Sequence, residues 1–147
     1  LIVGAPLTRQ ERKFLANLQV NYQERNFVAN QELQSYYSLA TALVYPSLYE
    51  GFGIPVIEAQ RCGCPVIAYN ASSIPEVIGE DYPLLLSQLE IAPAAHWINK
   101  LVTDSEFRNQ IQQKGIENSL RFSWEKMQEE YLSLYTQLWT MHCSIED

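Results

Sequence analysis

Residues 46–58 read Pro-Ser-Leu-Tyr-Glu-Gly-Phe-Gly-Ile-Pro-Val-Ile-Glu. Two acids, Glu50 and Glu58, flank a loop that contains Gly51 and Gly53. Glycines let the backbone approach a bound molecule closely. Pro55 falls where the first helical residue is expected, so the loop runs into a helix N-terminus. Free N–H groups and the helix dipole there favour an anion. Glu58, one turn into that helix, is placed to reach hydroxyls beside the anion, and Glu50 lies on the other side of the loop. Donors for a phosphate together with two carboxylates for hydroxyls suit a nucleotide sugar, which presents both. A glycine turn with two solvated glutamates accounts for the same spacing, because a G-x-G triplet alone is a weak signal.

The elements that must position these residues alternate between short apolar runs and amphipathic stretches. Strands are expected at Leu1–Val3, Asn26–Ala29, Ala42–Tyr45, Val66–Tyr69 and Tyr82–Leu86. Thr8 and Glu11 have capping-box spacing before a helix carrying Phe14, Leu15 and Leu18, and Asn30 can cap the next one. The helix that opens at Pro55 runs to about Cys62 and ends at Gly63. Ser73 and Glu76 have capping-box spacing for one or two turns ending at Gly79. Three further helices are expected over about 90–102, 104–121 and 123–141. The last carries Trp124, Met127, Tyr131, Leu134, Leu138 and Met141 at helical spacing, which reads as a core-facing stripe. Strands alternating with helices imply a Rossmann-like three-layer α/β/α fold with a mostly parallel sheet of about five strands. In such sheets ligands bind at the carboxyl ends of strands, which is where the 46–58 segment lies.

Acids outnumber bases 17 to 10, a net charge of −7, which argues against a nucleic-acid or anionic-membrane surface. No apolar run approaches the ~20 residues of a membrane span, and Leu1–Pro6 has no signal-peptide pattern. Cys62, Cys64 and Cys143 are odd in number, and the first two are too close for ordinary disulfide geometry. His96 and His142 do not complete a zinc set. Buried thiols in a reducing cytosol are the simplest reading.

The stretch from Pro46 to Ile67 resembles the signature of the glycosyltransferase family 4 (group 1) enzymes, with Glu50 and Glu58 as the acids of its E-x7-E motif. Ser72–Val77 and Phe122–Glu125 resemble downstream family segments, so the likeness covers nearly the whole chain. It implies the carboxyl-terminal donor-binding domain of a GT-B enzyme, over residues 1–147, with a terminal helix that reaches back to an amino-terminal domain. The implied reaction is transfer from a nucleoside-diphosphate sugar to a glycan or lipid-linked acceptor, retaining anomeric configuration, without a cofactor or catalytic metal. Surface polysaccharide or lipopolysaccharide synthesis is the implied setting. The implied location is cytoplasmic, or peripheral at the inner membrane face for the full-length enzyme. By the same resemblance Glu58 takes the ribose hydroxyls and Glu50 stands beside the donor sugar as the catalytic acid. Gly51, Phe52, Gly53 and Ile54 form the loop against sugar and phosphates, and Asn30, with Ala29, falls on the nucleobase side.

The family's first donor-domain strand, with its Gly-Arg loop and helix lysine, precedes the strand that Leu1–Gly4 matches. No Lys or Arg lies between Arg25 and Arg61, or between Arg61 and Lys100. The chain alone is therefore expected to bind donor weakly and to be inactive. Without that central strand the sheet is expected to split between Leu1–Gly4 and Ala42–Tyr45. The break is filled by chain outside this sequence, by a second copy through the exposed edge, or by direct pairing of the two strands. A stand-alone, non-catalytic nucleotide-sugar-binding or interaction module is the rival reading. A same-fold phosphorylase would need a pyridoxal-phosphate lysine, and Lys100, Lys114 and Lys126 lie away from the motif. Arg61 can pair with Glu58 on the helix, Glu76 reads as a cap, and His96 as a surface or packing residue. Tyr135 and Trp139 fall partly off the apolar stripe and fit the inter-domain contact that the family implies.

Overall fold

Thr8 and Glu11 form the expected capping box: the Glu11 amide donates to Thr8 Oγ1 at 3.2 Å, and the Thr8 amide to Glu11 Oε2 at 2.7 Å. The pair opens helix α1 (Arg9–Asn17). The computed structural model describes residues 1–79, 81–87 and 91–143, with backbone only for the last two. Two compact units divide after Tyr36.

In the first unit, β1 (Ile2–Val3) and β2 (Glu24–Arg25) pair in parallel around α1. The Glu24 carboxylate accepts from Arg12 Nη2 at 3.1 Å, from Arg12 Nε at 3.3 Å and from the Leu7 amide at 2.8 Å. Those donors, the Arg12 guanidinium first, hold its carboxyl below the usual range. The strand expected over Asn26–Ala29 thus lies earlier, at Glu24–Arg25. Phe27 explains the shift: its φ of 55° breaks the extended backbone, and its ring is 98% exposed. Helix α2 (Asn30–Leu39) already contains Asn30, and the Leu33 amide bonds to the Ala29 carbonyl at 2.9 Å. Ala29, rather than Asn30, therefore holds the capping position. Neither α1 nor α2 buries a residue.

The second unit holds the core. Strands β3 (Leu43–Tyr45), β4 (Val66–Tyr69) and β5 (Leu85–Leu86) form a parallel sheet in that order. Helices α3 (Ile54–Arg61), α4 (Ile74–Ile78), α5 (Ile91–Thr103), α6 (Ser105–Ser119) and α7 (Trp124–Cys143) follow in sequence. Glu90, expected to open α5, lies outside the described residues. All five strands exist and all pair in parallel, as an α/β fold requires. Among the described residues the strands form one group of two, β1 with β2, and one of three, β3 to β5.

Val56, Ala59, Val66, Ile67, Ile74, Val77, Ile78, Leu84 and Leu101 are essentially shut off from water. Full burial of each valine, leucine or isoleucine side chain among them is worth about 1.5–3 kcal/mol. Gln60 is buried among them. Its Nε2 donates to the Ile78 carbonyl at 3.1 Å, and its Oε1 accepts from Asn118 Nδ2 at 2.7 Å. Asn118 Nδ2 also donates to the Val77 carbonyl at 2.8 Å. These bonds join α3, α4 and α6. Gly115 lets α6 approach, since a Cβ there would meet Gln60 Cγ at 3.2 Å.

Tyr82 is not a strand residue. Its ring is buried and its hydroxyl accepts from the Val66 amide at 3.0 Å, so β5 is shorter than expected. Cys64 is buried and Cys62 half-buried, both as free thiols, and burial pushes Cys64 up to about 11. His96 is an exposed residue of α5, edge-on to Trp97. The stripe on α7 is not core: Trp124, Met127, Tyr131, Leu134, Leu138 and Met141 are all exposed. Helical spacing reports that a helix has an apolar side and not what covers it.

Candidate functional site

Pro46 stops β3, since proline has no N–H for the ladder. The loop from Pro46 to Gly53 then leads into α3, at the carboxyl end of the strand. Tyr45, the last residue of β3, turns its hydroxyl onto this loop and donates to Glu50 Oε1 at 2.6 Å. That bond first, and Ser47 second, hold the Glu50 carboxyl below the usual carboxylate range. Burial first, and the carboxylate second, push the Tyr45 phenol well above its ordinary value. At neutral pH the pair is therefore a neutral donor and an ionised acceptor.

Two serines hold the loop from across the sheet. The peptide carbonyl of Glu50 accepts from Ser72 Oγ at 2.7 Å and from Ser73 Oγ at 3.0 Å, and the Phe52 carbonyl accepts from Ser73 Oγ at 2.9 Å. This corrects the capping box expected of Ser73 and Glu76. Ser73 has helical backbone (φ −79°, ψ −10°) and makes no side-chain cap bond, because its hydroxyl serves the loop. The Glu76 side chain is exposed. Gly53 caps α3 with a φ of 99°, a conformation that L residues rarely adopt. Helix α3 starts at Ile54, one residue before Pro55. Proline there lacks an N–H, and the Val56 amide bonds back to the Gly53 carbonyl at 3.0 Å. The amides of Gly53 and Ile54 are thus the ones at the mouth of the helix.

Phe52 packs edge-on against Phe122 with ring centroids 5.7 Å apart. Arg61 Nη1 donates to the Phe122 carbonyl at 3.4 Å, so Arg61 ties α3 to the 122–125 segment rather than pairing with Glu58. Glu58 is exposed in the second turn of α3. Its charge adds to the burial that pushes the Tyr37 phenol up to about 12. The structure thus gathers Glu50, Gly51, Phe52, Gly53, Ile54 and Glu58 into one loop-and-helix unit. Asn30, exposed on α2, belongs to the first compact unit.

Tyr45, Ser72 and Ser73 escape a sequence reading centred on the acids. One signal points to the serines. They follow β4, which lies beside β3 in parallel, so the two strands end side by side and residues 70–73 must neighbour the 46–53 loop. Among the described residues, no group of three His, Cys, Asp or Glu side chains is placed to hold a metal ion. No helix among them is long and apolar enough to cross a membrane.

A parallel α/β unit with an acid–glycine loop at a strand end has relatives. The sequence matches the family of group 1 glycosyl transferases over residues 1–118. It is 37% identical to the O-antigen chain mannosyltransferase B of Escherichia coli over 113 residues, which is 76% of this chain and 29% of that protein. It is 32% identical to a D-inositol 3-phosphate glycosyltransferase of Corynebacterium efficiens over 114 residues, 77% of this chain and 27% of that protein. The fold is similar to that of a sucrose-phosphate synthase from Thermosynechococcus elongatus, with a TM-score of 0.80 and 28% identity. That match covers 90% of this chain and 34% of the synthase. It is also similar to Anabaena HepE solved with UDP and glucose, with a TM-score of 0.79, 19% identity, and coverage of 92% and 39%. The chain belongs to the group 1 glycosyltransferases, glycosyltransferase family 4, and corresponds to a carboxyl-terminal portion of their GT-B architecture. It spans less than a third of the length of these two curated relatives.

Proposed function

We propose that this chain supplies the donor site of a retaining glycosyltransferase that takes a nucleoside-diphosphate sugar as donor. The observation that carries the reading is the Glu50–Glu58 unit. An ionised carboxylate is anchored beside an open glycine, next to a helix mouth, with a second exposed carboxylate a turn further on. Glu58 takes the ribose hydroxyls, the Gly51–Ile54 backbone takes the phosphates and the sugar, and Glu50 stands at the reacting sugar. Asn30 falls on the nucleobase side. The solved relative holding UDP and glucose supports such a donor. The names of the E. coli relatives support a role in surface polysaccharide assembly, with a glycan or lipid-linked acceptor held by chain beyond this segment. The reading assigns no catalytic metal and places the enzyme in the cytoplasm.

The test is saturation-transfer NMR of the full-length protein with UDP-, GDP-, ADP- and TDP-sugars. Glu58→Gln should weaken every ribose-bearing donor, and an unchanged response would remove the ribose assignment. Glu50→Gln should lower turnover more than affinity, because a contact at the reacting sugar counts most in the transition state. The reverse pattern would remove that role. The isolated 147-residue chain should bind donor only weakly. The helix mouth offers ~0.3–1 kcal/mol per charge, too little to hold a pyrophosphate alone.

A further inference from the structure

We infer that Tyr45 is a positioning residue for Glu50: its hydroxyl holds one carboxylate oxygen and so fixes how the carboxylate is presented to the donor sugar. The inference deepens the proposed function and rests on it. A glutamate on an exposed loop ordinarily samples several rotamers and presents either oxygen. Here three contacts restrict it. The 2.6 Å bond from Tyr45 fixes Oε1. The Ser72 and Ser73 hydroxyls, at 2.7 and 3.0 Å, fix the peptide carbonyl of the same residue. The side chain is thus held at its tip and its backbone at its root. Tyr45 is itself placed firmly. It ends β3, its backbone is paired in register with Ala68 of β4, and its ring is half-buried against the core.

An oriented carboxylate can accept from a sugar hydroxyl or face a developing positive charge without first reorganising. Tyr45 touches neither donor nor acceptor in this scheme and acts only through Glu50. It supplies a hydrogen bond that favours the ionised form.

Tyr45→Phe removes the hydroxyl and keeps the ring, so folding is preserved. In the full-length protein, ¹³C-carboxyl NMR should show the titration midpoint of Glu50 moving up. The acid limb of the kcat/KM profile should move up with it. Turnover should fall roughly tenfold, the loss expected for one hydrogen bond to a charged group, while donor KM stays within about twofold. Adding Glu50→Gln to Tyr45→Phe should cost no more than Glu50→Gln alone, because the two residues act as one unit. An unchanged Glu50 midpoint would overturn the inference. So would a shifted midpoint with an unshifted acid limb, or additive losses in the double variant. Failure of the proposed function looks different: the wild-type protein would show no donor turnover, or Glu50→Gln would turn over normally. The carboxyl titration would still decide the Tyr45 contact.

Discussion

A methyl group added at Gly53 would lie 2.8 Å from Ile74 Cδ1, a buried atom with little room to move. The φ of 99° adds its own penalty. At Gly51 a methyl group would meet nothing within 4 Å, and the backbone is ordinary. The two glycines therefore answer to different demands. The fold needs Gly53, and nothing in the protein's own packing needs Gly51. Gly53→Ala should lower the unfolding free energy by at least about 1–2 kcal/mol, read from a urea melt. Gly51→Ala should leave the melt unchanged and weaken donor binding, read by titration of the full-length protein. Equal effects of the two substitutions on stability would contradict the distinction. The E-x7-E spacing made Glu50 and Glu58 legible from sequence, because the acids and the loop are local. The partners of Glu50 were harder to see. A serine can bond its own next turn or a neighbouring loop with equal chemistry, and at Ser73 only the tertiary fold decides between them.

At the scale of elements, α3 is the hub, and a polar residue makes it so. Gln60 is buried yet fully partnered, through Ile78, Asn118 and the approach that Gly115 allows. Gln60→Leu would strand the Ile78 carbonyl and free one Asn118 contact. We expect a loss of about 1–3 kcal/mol, and a double variant with Asn118→Ala that is clearly non-additive. Thermal or urea melts of the three variants decide this, and strict additivity would show that the network does not act as one. The elements themselves were largely readable. Val66–Tyr69 is a strand over the expected range, and Gly63 and Gly79 end their helices with positive φ. The Gln60 network was not readable, because its partners lie 18 and 58 residues away and a helical glutamine is ordinarily a surface residue. The α7 stripe misled for a related reason: its spacing is real, and its exposure depends on surfaces that the pattern does not describe.

For the molecule as a whole, the titrating groups of the core set an alkaline limit. Burial pushes Tyr82 up to about 12 and Cys64 up to about 11. Groups raised in the folded state bind more protons than their unfolded counterparts once the pH passes the unfolded values. Stability is then full at pH 8 and falls as the pH rises from about 9 towards 12, by up to ~1.4 kcal/mol per pH unit for each group. Urea midpoints at pH 8, 9.5 and 11 should decline in that order, and a flat series would contradict the assignment. The acidic balance of −7 acts in the same direction, since further ionisation adds like charge.

The serine clamp on the loop has a consequence in time. The Glu50 carbonyl and the Ser73 hydroxyl are separated by 23 residues of chain. A ribosome adding ~5–20 residues per second needs about 1 to 5 seconds to deliver the second after the first. Throughout that interval the nascent loop carries its glycines and its acid but not the contacts that shape them. The shape of the loop is thus completed only after the strand behind it and the turn beyond it have emerged.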